Sequence, residues 1–156
     1  MLGILNSGDK VFDRPDSHAK THTGVWELLP EVLSRLDSQN REFIMEEIKM
    51  GRVVGKTILS DTQVGDEIFY AQRPNRKGLT RFVKNKNPKD CDTVVVILGK
   101  KDHGYMLISS WIGFKTPVEP WDPKADQKAI DFWNSHALIA GCEEIIPGTE
   151  TEICPW

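Results

Sequence analysis

The chain has 156 residues, of which 39% are hydrophobic and 28% charged, as expected for a soluble globular protein of one domain. No apolar run approaches the ~18–20 residues of a membrane-spanning helix, and nothing in the composition suggests a collagen or a coiled coil. The first residues, MLGILNSGDK, lack the basic and long apolar regions of a secretory signal. Three cysteines match no zinc motif, which indicates free thiols. We therefore expect a cytoplasmic protein without membrane contact.

The net charge of −3 conceals one strongly positive segment in the middle of the chain. Residues 73–101 carry nine Lys and Arg side chains against two Asp. Such a segment can attract a polyanion even when the whole protein is acidic.

The first third of the sequence predicts a loose arm followed by helices. Residues 1–16 form the arm, and residues 17–52 the helical part. In VWELLPEVLSRLD, apolar residues recur every three or four positions, which indicates a helix with one buried face. Pro30 is tolerated there if it lies in the first helical turn. Ser38 is placed to cap a further helix, SQNREFIMEEIKM, which ends at Gly51.

Residues 53–115 change to the pattern of β-strands. The runs DEIFYAQR, GLTRFVKN, DTVVVILG and GYMLISSWIG are separated by short turns rich in Gly, Pro, Asn or Asp, as in antiparallel hairpins. Residues 116–156 add a Pro-rich loop, the helix KADQKAIDFWNSHALI and a tail that forms an edge strand or lies on the surface. We predict one α+β domain over residues 1–156. Its N-terminal helices pack on a meander of three to five strands, with four preferred, and a C-terminal helix follows.

Candidate phosphate ligands lie in the positive segment. Arg81 and Lys84 lie on the predicted strand GLTRFVKN, where arginine offers phosphate a rigid fork and lysine a point charge. Arg73 and Arg76, in the turn RPNRKG, could follow a nucleic-acid backbone. The alternative is an edge strand protected by its charges, although nine cations exceed what this protection needs.

The segment ISSWIG is a second candidate. Neighbouring strand residues face opposite sides, so Ser109 shares its face with Trp111 and not with Ser110. A hydroxyl beside an aromatic ring suits a phosphate with a stacked base. The alternative is a buried tryptophan with serines bonded to neighbouring backbone.

The histidines allow several roles. His18 and His22 lie four residues apart and would share a helix face, which suits a metal, acid–base chemistry or a structural pair. The Glu of an HExxH motif and a nearby carboxylate cluster are both missing from the sequence, so we expect no metal. His136, near the end of the last predicted helix, suits either a packing role at the helix end or a site. No phosphate-binding loop or GxGxxG occurs, and we expect no nucleotide cofactor.

The sequence order RFV, a Pro-containing turn, DTVVVIL, GYMLISSWIG, EPWDP and FWNSHALI resembles a known group of proteins over roughly residues 68–139. It is similar to the phage- and toxin-associated branch of the barnase, EndoU, colicin D and RelE superfamily of metal-independent ribonucleases. The resemblance implies two N-terminal helices on a four-stranded antiparallel sheet. It also implies RNA as the partner, no cofactor, and an acidic antitoxin or immunity protein as a further partner.

The resemblance further implies a site made of a histidine, basic residues and a hydroxyl group. In this chain they would be His22, with His18 as second choice, Arg81, Lys84 and Ser109, where relatives more often have Thr. Base stacking would come from Tyr70 or Trp111, and His136 is an additional candidate. The implied reaction is attack by the ribose 2′-hydroxyl to give a 2′,3′-cyclic phosphate. Some members of the superfamily bind RNA or a protein without cleavage, so a non-catalytic binding module is the alternative.

Overall fold

The computed structural model describes residues 1–14, 20–21 and 24–156. The chain divides into two compact units, each built from segments that are distant in sequence. The first unit contains residues 1–56 and 90–115, and the second contains residues 57–89 and 116–156. Part of the predicted arm and of the predicted helical region, including His18 and His22, lies outside the described residues.

The elements are named in chain order. In the described part of the first half they are β1 (Gly3–Ile4), β2 (Lys10–Phe12), β3 (Lys20–Thr21), a 3-10 turn (Trp26–Leu28), α1 (Leu29–Ser34), β4 (Phe43–Lys49), β5 (Gly55–Thr57), β6 (Leu59–Asp61) and β7 (Ile68–Gln72). Those that follow are β8 (Leu79–Val83), β9 (Lys89–Cys91), β10 (Thr93–Lys101), β11 (Gly104–Ile112), α2 (Gln127–Ser135) and β12 (His136–Ile139). Neither helix is long and apolar enough to cross a membrane, judged over the described residues.

The first unit is built on a sheet with the strand order β1-β2-β11-β10-β4, and β3 pairs with β11. The long hairpin β10–β11 is antiparallel, whereas β2 and β3 run parallel to β11. The central strand β10 is flanked on both sides, which explains its almost continuous apolar run. Helix α1 covers one face of this sheet with side chains that share a buried core with Val94, Val96 and Leu98.

The second unit contains a mixed sheet of order β6-β12-β8-β7. Strands β7 and β8 form an antiparallel hairpin, while β12 runs parallel to β8 and antiparallel to β6. Helix α2 is capped by Asp126, whose carboxylate accepts from the Ala129 amide. Its Trp133 joins Phe69, Phe82 and Leu138 in one core cluster. A separate two-stranded sheet pairs β5 with β9.

The α+β class is confirmed, and several local predictions agree with the structure. The hairpins β7–β8 and β10–β11 form from the strand runs that the sequence indicated. Pro30 lies in the first turn of α1, where its missing amide hydrogen breaks no helical bond. Residues 1–14, predicted as part of a loose arm, instead contribute β1 and β2, and their Leu5 and Val11 are buried in the first core. The organisation as a single domain stays a prediction.

The predicted helix over SQNREFIMEEIKM is wrong, because this segment forms strand β4. Gln39 and Asn40 have positive φ angles of 48° and 58°, which turn the chain away from a helix. The strand then pairs along β10, where Ile44 is opposite Leu98. Pairing with a buried central strand outweighs the helical spacing of the apolar residues.

The single meander is also wrong, because the β-runs divide among three sheets. Strand β8 does not continue to β10 within one sheet. Instead β12, formed by the sequence HALI that was assigned to the last helix, lies beside β8. The remainder of that helix is confirmed as α2.

Candidate functional site

Arg81 and Tyr70 form the centre of the candidate site, in the second unit. They are directly opposite each other in the β7–β8 hairpin, so their side chains share one face of the sheet. Arg81 is half-buried and Tyr70 is only 6% exposed. Both residues were predicted site residues, and the hairpin register brings them together.

The Arg81 guanidinium is held by neutral groups. Its Nη1 donates to Thr62 Oγ1 at 2.8 Å and to the His136 carbonyl oxygen at 3.0 Å. Within the described part of the chain it has no carboxylate partner. A half-buried guanidinium without a compensating negative charge favours binding of an anion, and its fork matches phosphate oxygens.

The Tyr70 hydroxyl lies within hydrogen-bonding reach of the Arg81 guanidinium and the Cys154 thiol. Burial raises the pKa of Tyr70 above its ordinary value, and the hydrogen bond to Cys154 raises it further, whereas Arg81 opposes the shift. The phenol therefore stays protonated at neutral pH. It can donate a hydrogen bond to a bound anion.

The other basic residues of the positive segment differ in whether they form ion pairs within the protein. Arg73 forms a buried ion pair with Glu119 at 2.8 Å, and its Nε donates to Thr80 Oγ1. Arg76 donates only to the Asn75 carbonyl oxygen among the described residues, at 3.4 Å. Lys84 is exposed, with its Nζ 5.2 Å from the centre of the Phe69 ring. Lys84 and Arg76 therefore keep charge available for a ligand, whereas Arg73 is neutralised.

Ser109 and Trp111 lie on β11 in the sheet of the first unit. Ser109 is opposite Ile97 and Trp111 is opposite Val95, so the two side chains share a face as the sequence indicated. Trp111 Nε1 donates to the Phe114 carbonyl oxygen at 3.2 Å. The neighbouring Ser110 is buried and donates to the Val95 carbonyl oxygen. The predicted site residues are thus distributed over two sheets, one in each unit.

His136 lies where α2 ends and β12 begins. Its Nδ1 is 2.9 Å from the Phe132 carbonyl oxygen, and its ring stacks on the Phe132 ring with centroids 4.0 Å apart. Leu138 is opposite Phe82, so strand alternation places the His136 side chain on the Phe82 face, away from Arg81. Its carbonyl group, and not its imidazole, therefore belongs to the Arg81 site.

The first unit contains a cleft of about 420 Å³. Its lining includes Lys10, Lys100, Lys101, His103, Asp9 and Asp102. Lys100 Nζ lies 3.6 Å from a carboxylate oxygen of Glu42, and Asp9 accepts hydrogen bonds from two serine hydroxyls. The lining therefore has three lysines and two carboxylates, and Lys100 is in addition paired with Glu42 outside it, so most of the positive charge of the cleft is compensated.

Sequence reasoning missed three residues of this site. Thr62 accepts a hydrogen bond from Arg81, and Cys154 and Trp156 lie beside Tyr70. None lies in a motif, and each reaches the site through long-range folding. In the described ranges no group of three or more His, Cys, Asp or Glu side chains is arranged to hold a metal ion. Comparison of the chain with protein-family models, with curated proteins and with solved structures gives no match.

Proposed function

We propose that the protein is a metal-independent endoribonuclease that holds an RNA phosphate at Arg81 and Tyr70. The observation that carries this proposal is the half-buried Arg81 guanidinium, fixed by neutral acceptors. In the reaction the ribose 2′-oxygen loses its proton to a base and attacks the adjacent phosphorus. The bond from phosphorus to the 5′-oxygen breaks, that oxygen gains a proton, and a 2′,3′-cyclic phosphate remains.

Arg81 and Tyr70 supply charge stabilisation and proton donation in this scheme. The guanidinium stabilises the extra negative charge on the phosphorane oxygens, an effect of about 3–4 kcal/mol in a site that excludes water. Tyr70 is protonated at neutral pH because the ordinary pKa of a phenol is 10.0 and burial raises it further, so Tyr70 has a proton to give to the leaving 5′-oxygen. The exposed Lys84, whose Nζ lies over the Phe69 ring on the opposite face of the sheet from Arg81, contacts a phosphate further along the RNA.

The remaining roles in the proposal come from the family resemblance. The resemblance assigns the role of base to His22, with His18 as second choice, that of a phosphate ligand to Ser109 and that of a stacking surface to Trp111. The proposal places the protein in the cytoplasm, where RNA is available and free thiols persist. An acidic antitoxin or immunity protein would compete with RNA for Arg81.

A second candidate function is RNA binding without cleavage. The observation that favours it is the orientation of the His136 ring, which stacks on Phe132 and faces away from Arg81. Within the second unit, all of whose residues are described, no imidazole therefore faces the guanidinium as a base. A site with positive charge and a protonated phenol, but without a base, would hold a phosphate and leave the RNA intact.

The test is incubation of the full chain with single-stranded RNA in the presence of EDTA. We expect fragments that end in a 2′,3′-cyclic phosphate, and no cleavage of DNA with the same sequence, because DNA lacks the attacking hydroxyl. Arg81→Gln should lower the cleavage rate by about 10²–10³-fold, as for loss of a group that stabilises transition-state charge. Lys128→Gln, which removes an exposed charge from α2 in the same unit, is the matched control and should cut RNA at the normal rate.

The outcomes separate the two functions. Retention of RNA without cleavage, weakened by Arg81→Gln, would support the binding module. Cleavage that stops in EDTA would contradict a metal-independent reaction. Normal cleavage by the Arg81→Gln variant would remove the guanidinium from the mechanism.

A further inference from the structure

The segment of residues 146–156, called the strap here, lies along the free edge of β7 in the second unit. The Ile146 amide donates to the Gln72 carbonyl oxygen at 2.8 Å. Further along, the Tyr70 amide donates to the Thr151 carbonyl oxygen at 2.7 Å, and the Thr151 amide donates back at 2.8 Å. The strap therefore occupies the backbone positions that an added β-strand would use.

The side chains of the strap cover Tyr70. The Trp156 ring meets the Tyr70 ring edge-on, with centroids 5.2 Å apart and planes at 90°. Trp156 Nε1 also donates to Asn134 Oδ1 on α2 at 2.8 Å, which ties the strap to the helix. The Cys154 thiol, which lies near the Tyr70 hydroxyl, donates to the Trp156 carbonyl oxygen at 3.3 Å within the strap. The group that the proposed reaction needs as a proton donor is therefore enclosed.

The strap forms fewer regular backbone pairs than the strands beneath it, although the Gln72 amide also donates to Thr149 Oγ1 at 3.0 Å and Trp156 packs against the core cluster of Phe69, Phe82 and Leu138. Its regular pairing with β7 is a single bridge between Tyr70 and Thr151. Ile153 is 77% exposed, and Cys154 is also exposed. Segments with few buried apolar contacts open locally without unfolding the rest of the protein.

We infer that the strap is an autoinhibitory cover that must leave β7 before an RNA phosphate can reach Tyr70 and Arg81. This inference rests on the proposed function. The closed form hides the phenol beside the half-buried guanidinium, and the open form lets one phosphate reach both groups. If only a small fraction of molecules is open, the apparent affinity for RNA is reduced by that fraction.

The test measures amide hydrogen exchange and RNA cleavage on the same full-length variants. Trp156→Ala removes the ring that covers Tyr70, and Asn134→Ala removes the hydrogen-bond partner of Trp156 while leaving the strap intact. Ile153→Ala changes an exposed strap side chain and is the control. The Tyr70 amide reports opening because it donates to Thr151. The Ala71 amide is the internal reference, because successive strand amides alternate and it therefore faces β8.

We expect Trp156→Ala and Asn134→Ala to raise the exchange rate of the Tyr70 amide at least about tenfold, with Ala71 unchanged. RNA cleavage should rise by a similar factor in both variants and stay constant in Ile153→Ala. If the exchange rates of the Tyr70 and Ala71 amides rise together, or if neither variant raises the rate at Tyr70, the strap does not open locally and the inference is wrong. If the rate of RNA cleavage does not change with the exchange rate of the Tyr70 amide, the strap is not autoinhibitory. The ribonuclease proposal is unaffected by that result. Faster Tyr70 exchange without RNA cleavage or binding in any variant would defeat the proposed function while supporting local opening.

Discussion

Arg73 and Arg81 lie eight positions apart in the same unit, yet their surroundings give them opposite properties. Arg73 is neutralised by Glu119, and the Thr80 hydroxyl donates to the same carboxylate. Among the residues that the structure describes, Arg81 has only hydroxyl and carbonyl acceptors. Charge in the sequence therefore does not by itself identify a ligand site. The available positive charge depends on which carboxylates the fold brings close.

The Arg73–Glu119 pair supports a prediction about stability. Glu119→Ala removes the close carboxylate partner of the largely buried Arg73 guanidinium, which keeps only Glu143 at 4.0 Å, and removes the acceptor of the Thr80 hydroxyl, so we expect a loss of about 3 kcal/mol in the free energy of unfolding. Asp90→Ala breaks the exposed pair with Lys56 and should cost at most about 1 kcal/mol. Urea unfolding of both variants provides the comparison. Equal losses would show that the Glu119 network contributes no more than a surface ion pair.

Glu31 in the first unit supports a prediction about pH. Hydrogen bonding from Arg52 is the main cause that lowers the pKa of Glu31 to about 2, and Arg35 contributes. A carboxyl whose pKa is lower when folded than its ordinary 4.5 adds stability above pH 4.5, and this contribution disappears as the pH falls towards 2. Arg52→Ala should raise the pKa of Glu31 in an NMR titration, and the stability difference from the original chain should shrink over that pH range. Arg41→Ala, which removes a partner of Glu46, should leave the Glu31 titration unchanged.

At the scale of elements, the hairpins could be predicted because their signals are local. In both β7–β8 and β10–β11 the alternating or continuous apolar runs and the turn residues are neighbours in sequence. Strand β4 could not be predicted in this way. Its apolar residues match a helical spacing, and only the pairing with β10, about fifty residues later, determines the strand.

The same distinction applies to the candidate site. Tyr70 and Arg81 could be proposed from the hairpin sequence because one element contains both. Thr62 and the His136 carbonyl group meet Arg81 only after β6 and β12 join the sheet. The strap reaches Tyr70 from about eighty residues away, and no motif marks it.

The β10–β11 hairpin supports a prediction about one glycine. Gly104 has a φ angle of +141°, and a Cβ atom there would lie 2.2 Å from the Lys10 carbonyl oxygen. Gly104→Ala should therefore destabilise the protein by at least about 1–3 kcal/mol, since both the backbone and β2 must shift. Gly99→Ala is the comparison, because its Cβ would meet only the flexible end of Ile108, at 3.3 Å. Thermal unfolding should show the larger decrease in melting temperature for Gly104→Ala.

At the scale of the whole molecule, folding divides the positive segment. Residues 73–89 belong to the second unit and residues 90–101 to the first. The second unit as a whole contains nine basic and eleven acidic side chains, and the first contains eleven basic and twelve acidic ones. Neither unit is strongly basic. Attraction of a polyanion must therefore depend on a few uncompensated cations, and not on the nine that are neighbours in sequence.

This distribution leads to a prediction for the salt dependence of RNA binding. Each phosphate contact with single-stranded RNA contributes about −0.7 to the slope of log K against log salt. If Arg81 and Lys84 each hold one phosphate, the slope is about −1.4, and affinity falls about sevenfold from ~50 to ~200 mM salt. Nine contacts would give a slope of about −6.3, and the affinity would fall several thousandfold over the same salt range. Fluorescence anisotropy with an RNA whose 2′-hydroxyls are methylated measures binding without cleavage. Arg81→Gln should make the slope shallower by about 0.7, whereas a slope steeper than about −4 would contradict a site of two cations.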